Sequence, residues 1–172
     1  MSRARDRLFA HLAELGVETT TIDHPPVFTV EEAARYTGHL PGARTKNLFL
    51  EDREGGLWLV VCRAEQPVRI NALARLLGAP RMRFGKPERL SEVLGVIPGA
   101  VTPFALLDDR ERRVRVVLDA GLLTMDPLNF HPLDNAATTS IRRRDFLRFL
   151  HALGYRPEIV DLTRTLEGRP PA

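Results

Sequence analysis

The apolar positions of this chain fall into runs of two different periods. Over residues 3–15, Leu8, Phe9, Leu12 and Leu15 recur at helical spacing and Gly16 follows, which predicts an amphipathic helix with a glycine stop. Residues 17–23 (Val-Glu-Thr-Thr-Thr-Ile-Asp) are instead a β-branched run that reads as a strand, broken by His24-Pro25-Pro26. Thr29 opens a short helix with Glu31 and Glu32 in its first turn, where carboxylates suit the macrodipole, and Gly38 closes it. A Pro/Gly loop, Leu40-Pro41-Gly42-Ala43, then leads into Thr45-Lys46-Asn47-Leu48-Phe49-Leu50, which places Lys46 at the mouth of a strand.

The apolar runs 48–51 and 57–62 flank Asp52-Arg53-Glu54-Gly55-Gly56 and predict a hairpin. Val68, Ile70, Leu73, Leu76 and Leu77 predict a helix ending at Gly78. Residues 82–84 fit a short strand, and 87–94 a helix with proline at its first position. A second hairpin is expected from 101–107 and 114–119, a last helix from 142–153, and an extended segment from 155–162. From Thr163 to Ala172 the chain is polar and Pro-rich, which predicts a frayed tail. Hairpins outnumber strand-helix-strand crossovers, so the expected class is α+β: one compact domain over 1–162, with a mixed, mostly antiparallel sheet.

Composition narrows the picture. With 172 residues, 44% of them hydrophobic, the chain suffices for one domain with a real core. One cysteine excludes an intrachain disulfide and any Cys-rich zinc site, and points to a reducing cytosol. No signal-peptide core and no membrane span of about 20 apolar residues is visible, so the expected location is cytoplasmic. A net charge of +3 is compatible with a nucleic-acid partner without demanding one.

Positive charge is supplied almost entirely by arginine; of 25 Lys+Arg, only Lys46 and Lys86 are lysines. An ammonium is a compact point charge, whereas guanidinium is a wide planar fork, so Lys46 is the first candidate for chemistry. Three loops carry more than turns require, and the first of them, Gly42 to Asn47, delivers Lys46. Gly95 to Pro103 suits a rigid loop whose N–H groups face a ligand, or else a stiff tight connection. Phe130-His131-Pro132-Leu133-Asp134-Asn135, followed by Thr138-Thr139-Ser140, gathers an imidazole, an amide and three hydroxyls, or else marks a helix start capped by Thr139 or Ser140. Arg81, Arg83, Lys86 and Arg89 form the densest basic patch, and 142–144 the next; each is a phosphate track or a solvated face. Cys62 reads as a small core hydrophobe, and His24, His39 and His131 lack metal-ligand spacing. No Walker loop, Gly-x-Ser-x-Gly elbow or His-Glu-x-x-His is present.

Five blocks in order, His24-Pro25-Pro26-Val27-Phe28-Thr29, Thr45 to Leu50, Trp58-Leu59-Val60, Gly99-Ala100-Val101-Thr102-Pro103 and Phe130 to Thr139, resemble the YbaK/ProX superfamily of aminoacyl-tRNA deacylases. Within it, the Lys-Asn-Leu-Phe-Leu and Phe-His-Pro-Leu blocks look most like the free-standing Ala-tRNA(Pro) deacylases. The resemblance covers roughly residues 5–162. It implies a compact, barrel-like mixed sheet with flanking helices and metal-free, cofactor-free hydrolysis of alanine mischarged onto the acceptor end of tRNA(Pro). Prolyl-tRNA synthetase is an expected associate. Lys46 and Asn47 are the implied catalytic pair. Gly99, Ala100, Val101, Thr102 and Pro103, with His131 and Asn135, are the implied aminoacyl pocket, and Arg81, Arg83 and Lys86 the expected tRNA contacts. Deacylation of a cysteinyl or seryl tRNA, and a non-catalytic aminoacyl-tRNA-binding module, are the alternatives. One departure from expectation is the absence of a Ser or Asp cap at Ile141-Arg142, before the last helix.

Overall fold

The computed structural model describes residues 3–167. Five α-helices, α1 (Arg3–Glu14), α2 (Val30–Thr37), α3 (Ile70–Leu76), α4 (Pro87–Leu94) and α5 (Arg143–Ala152), accompany eight strands. These are β1 (Thr19–Asp23), β2 (Ala43–Asp52), β3 (Leu57–Arg63), β4 (Met82–Phe84), β5 (Val114–Asp119), β6 (Leu128–Phe130), β7 (Ala137–Ile141) and β8 (Glu158–Val160). The sheet runs β1-β7-β6-β2-β3-β5-β8, with β4 added on β2. It is mixed: β1/β7, β6/β7, β2/β3 and β2/β4 are antiparallel, whereas β2/β6, β3/β5 and β5/β8 are parallel. The expected α+β class holds. The sheet curves without closing, so β1 and β8 remain edges.

The β2–β3 hairpin is organised by Asp52. Its carboxylate accepts the N–H groups of Glu54 and Gly56 at 2.9 Å and the indole N–H of Trp58 at 3.0 Å, so one buried side chain satisfies both the turn and the largest core residue. Strand β3 is apolar without alternation because both its faces are covered. Leu57, Leu59 and Val61 enter the larger core with Leu8, Leu12, Phe104, Phe130, Phe146 and Phe149. Trp58, Val60 and Cys62 enter a smaller one with Leu50, Leu73, Met82 and Leu162. Phe104 meets two phenylalanines of the larger core edge-on, Phe130 at 5.6 Å and Phe149 at 5.5 Å between ring centroids.

Three expectations are corrected. Residues 103–108 form a 3-10 helix, not a strand: Thr102 caps it by accepting the N–H of Phe104, and β5 pairs in parallel with β3 instead of forming a second hairpin. Thr138, Thr139 and Ser140 do not cap a helix. They lie in β7, where Thr139 faces Thr21 of β1 across a 2.8 Å hydroxyl pair. The missing cap of α5 is supplied from elsewhere, since Asp126 accepts the N–H of Arg143 at 2.9 Å. The expected tail begins inside a 3-10 helix over Leu162–Leu166, held by burial of Leu162 and Thr165 and by the bond from Leu162 N–H to Asp119. The remainder of that tail, 168–172, lies outside the described residues.

Candidate active site

Strand β2 starts at Ala43, so Lys46 and Asn47 lie within it and not at its mouth. One edge of β2 is paired with β3 from Thr45 to Glu51. The other edge is shared: β6 pairs only with Ala43 and Arg44, and β4 only with Leu50 to Asp52. Between them, residues 45–49 have no strand partner on that side. The sheet forks there, and α2 and the 95–103 loop cover the gap.

The result is a cleft of about 140 Å³ lined by Lys46, Asn47, Thr45, Gly99, Val101 and His131, with Phe28 and Thr29 at its rim and Val30 and Ala33 of α2 as its wall. An adjoining recess of about 40 Å³ shares Val30, Ala33, Thr45, Asn47 and His131 and reaches Asn129 and Thr138. Short local ties fix this geometry. Asn129 donates to the carbonyls of Pro41 and Ala43 at 3.1 and 3.0 Å, holding the start of β2. Thr45 donates to the carbonyl of Asn129 at 2.6 Å. Asn47 donates through Nδ2 to the carbonyl of Val101 at 3.2 Å, fastening the loop to the strand.

Four polar groups at the cleft are unspent among the described residues. The Lys46 ammonium makes no hydrogen bond or ion pair. Asn47 Oδ1 is buried without a donor. The N–H groups of Gly99 and Val101 have no intrachain acceptor. Such groups in a cleft are what a charged, polar ligand satisfies.

His131 is set by its neighbours. Nδ1 lies 2.9 Å from the carbonyl oxygen of Ala137. A carbonyl only accepts, so Nδ1 carries the proton and, in the neutral ring, Nε2 is an acceptor. Burial pushes the imidazole below its ordinary value, and the hydrogen bond to Ala137 and nearby Asp134 only partly offset this. His24 stands 6.2 Å away between ring centroids, stacked on Tyr36 and bonded through Nε2 to Thr138 at 2.9 Å. A lowered folded-state value makes acid destabilising. The stability tied to neutral His131 is complete above the unfolded value of about 6.5 and is lost as pH falls through the lowered folded value. Denaturant midpoints at neutral and mildly acidic pH are therefore expected to drop more in wild type than in His131→Asn.

The remaining residues from sequence are placed as follows. Ala100, Thr102 and Pro103 are buried beneath the loop and do not line the cleft. Asn135 is a clamp: its Nδ2 donates to the carbonyl of Val27 at 2.8 Å, and its carbonyl accepts the Val27 N–H at 3.1 Å, so it holds the loop that carries Phe28. Asp134, beside it, is tied to the buried Arg5 of α1 at 2.7 Å, which also reaches Asp23 at 2.8 Å. Arg81, Arg83 and Lys86 lie toward the far end of β2; Arg83 pairs in register with Glu51, about 17 Å along the strand from Lys46 at about 3.4 Å per residue. Glu51 also draws Arg89 to 3.3 Å, so acidic groups interleave that patch. Cys62 is fully buried and its thiol is pushed up to about 12 by burial, which suits a core residue and not a nucleophile. No group of three or more His, Cys, Asp or Glu among the described residues is arranged to hold a metal ion. The α2 wall is the part of the site that sequence reasoning passed over; the His24-to-Thr29 block, directly before α2, was the available signal.

A free ammonium beside unspent backbone donors is able to stabilise an oxyanion that develops in the cleft. The aminoacyl-tRNA editing domain family matches residues 24–149, and the chain belongs to that family; its activity class is aminoacyl-tRNA deacylation. Prolyl-tRNA synthetase associated domain-containing protein 1 of Danio rerio is 43% identical over 91% of this chain and 86% of its own length. The prolyl-tRNA editing protein ProX of Acetoanaerobium sticklandii is 32% identical over 92% of this chain and 98% of its own. The multifunctional Ser/Thr-tRNA deacylase ProXp-y of Escherichia coli is 25% identical over 95% of each. A solved structure described as a candidate trans-editing enzyme for prolyl tRNA synthetase superposes with a TM-score of 0.72 at 22% identity, covering 94% of this chain and 98% of that one, and shares the fold.

Proposed function

We propose that the chain edits in trans, removing alanine from mischarged tRNA(Pro) and sparing Pro-tRNA(Pro). The carrying observation is that the cleft holding Lys46 narrows into a recess of about 40 Å³ walled by Ala33, Asn47 and His131. A synthetase site that fits proline excludes alanine poorly, because missing methylenes cost only about 1–3 kcal/mol. A second site must therefore accept the smaller residue and reject the larger by size.

An aminoacyl ester is already activated, so hydrolysis needs a water held in line and a stabilised tetrahedral oxyanion. Lys46 supplies a fixed positive charge, and the Gly99 and Val101 N–H groups supply uncommitted donors at the same cleft. Asn47 Oδ1 accepts from the substrate's α-ammonium, which relieves its buried, unpaired state. Neutral His131 walls the recess and offers Nε2 as one further acceptor. Lysine is not required as a covalent nucleophile, since an ester presents no ketone or aldehyde for a Schiff base. Arg81, Arg83 and Lys86 serve the tRNA body, at a distance from the reacting ester, and prolyl-tRNA synthetase is the expected associate.

A seryl substrate is the second reading. Asn47 Oδ1 would satisfy a seryl hydroxyl as well as an ammonium, and Thr45, Asn129 and Thr138 give the recess a polar lining. Release of free amino acid from alanyl-, seryl-, cysteinyl- and prolyl-tRNA(Pro) under multiple turnover separates these readings, and absence of turnover on all four favours a binding module.

A further inference from the structure

Large apolar side chains are buried among the described residues with few exceptions, and one of the exceptions, Phe28, lines the cleft. Phe28 is 63% exposed and Ile97 57% exposed. Phe28 belongs to the cleft rim and packs against Gly99; a Cβ added at Gly99, whose φ is +91°, would come within 3.3 Å of the Phe28 ring. Ile97 accepts the Ala100 N–H at 3.0 Å through its backbone carbonyl, in the turn that carries Gly99. The Phe28 position is also built. Its N–H donates to Glu32 of α2 at 3.1 Å, and the preceding Val27 is held by Asn135 through both its N–H and its carbonyl.

We infer that Phe28 is the platform on which the 3′-terminal nucleobase of the tRNA stacks while the aminoacyl ester enters the cleft. The inference rests on the deacylase reading. A cleft of about 140 Å³ accommodates the aminoacyl group and the ester-bearing edge of the ribose but not the base as well, so the base must lie on the rim. Stacking on an aromatic face needs no hydrogen-bond readout, which suits an end common to all substrates and leaves selectivity to the recess. The role is one of positioning: the base anchors the ribose so that the ester carbonyl meets Lys46.

The test uses Phe28→Ala and Phe28→Trp with two readouts. With uncharged tRNA(Pro) carrying 2-aminopurine as its terminal base, wild type and Phe28→Trp are expected to quench the fluorophore on binding, and Phe28→Ala to lose the quenching. This readout is independent of catalysis. With alanyl-tRNA(Pro), Phe28→Ala is expected to lower kcat/KM by about 5- to 150-fold, mainly through KM, as for loss of one base-aromatic stack. With an alanyl ester of a 3′-terminal unit lacking its base, the same variant is expected to match wild type. Unchanged quenching in Phe28→Ala, or an equal loss on the baseless ester, overturns the assignment and makes Phe28 a wall of the acyl pocket. Quenching by a wild-type chain that hydrolyses neither ester would keep the platform and remove the deacylase reading.

Discussion

Replacing Lys46 by alanine is expected to lower kcat for aminoacyl-ester hydrolysis by about 100- to 1,000-fold, the range for losing one preorganised group that stabilises an oxyanion. The fold should be unaffected, because the ammonium makes no hydrogen bond or ion pair among the described residues and the backbone pairing of Lys46 with Cys62 does not depend on the side chain. Unchanged thermal unfolding beside lost turnover separates a chemical role from a structural one. Lys46→Arg should restore little: the planar guanidinium has a different shape and donor geometry from the ammonium, and a cleft of about 140 Å³ has little room for it. Near-normal turnover in either variant removes Lys46 from the mechanism.

Reshaping the recess is expected to move substrate choice in opposite directions at two positions. Ala33 lies on α2 and lines both cavities. Leucine there keeps helix propensity and fills the recess, and overpacking of about 1–3 kcal/mol corresponds to roughly a 5- to 150-fold loss in kcat/KM for the alanyl ester. His131→Ala enlarges the same space. It should admit bulkier acyl groups and shrink the preference for alanyl over prolyl ester, by up to about the 10- to 200-fold that a methylene-scale pocket provides. Steady-state kinetics on both esters reads the two effects. If the two variants leave the ratio where it is in wild type, the recess does not select.

The sequence carried the strong periodicities well and the local chemistry of short strands poorly. All five helices and the β2–β3 hairpin were legible: α1, α2 and α3 combine an apolar period with a stop at Gly16, Gly38 and Gly78, and α4 opens on Pro87. Strand β7 was not, because Ala-Thr-Thr-Ser-Ile reads locally as a cap, and only its pairing with the threonines of β1 makes it a strand. The cap of α5 was invisible for the same reason in reverse: Asp126 is 17 positions before the N–H it accepts. Residues 103–108 have strand-like composition, yet Pro103 and the Thr102 cap set a 3-10 turn.

At the site, the strand and loop residues Lys46, Asn47, Gly99, Val101 and His131 were named in advance and the structure brings them to one cleft. Ala33 was not named, since nothing local marks it; it matters because the sheet forks beside β2, which is a fact of pairing. Asn135 was placed among pocket residues because its block is continuous with His131, but its amide is spent on Val27. Ala100, Thr102 and Pro103 shape the loop from below. The basic patch was read from charge density alone, which does not reveal that β4 pairs with the far end of β2 and so sets the patch away from Lys46.

The central claim is selection by size for the smaller acyl group on a common tRNA. It is tested most directly by kcat/KM for alanyl, seryl, cysteinyl and prolyl esters of the same tRNA(Pro) with the wild-type chain. The proposed function predicts efficient release of alanine and negligible release of proline. Efficient cleavage of Pro-tRNA(Pro) would contradict it, because no editing enzyme serves its synthetase by destroying the correct product.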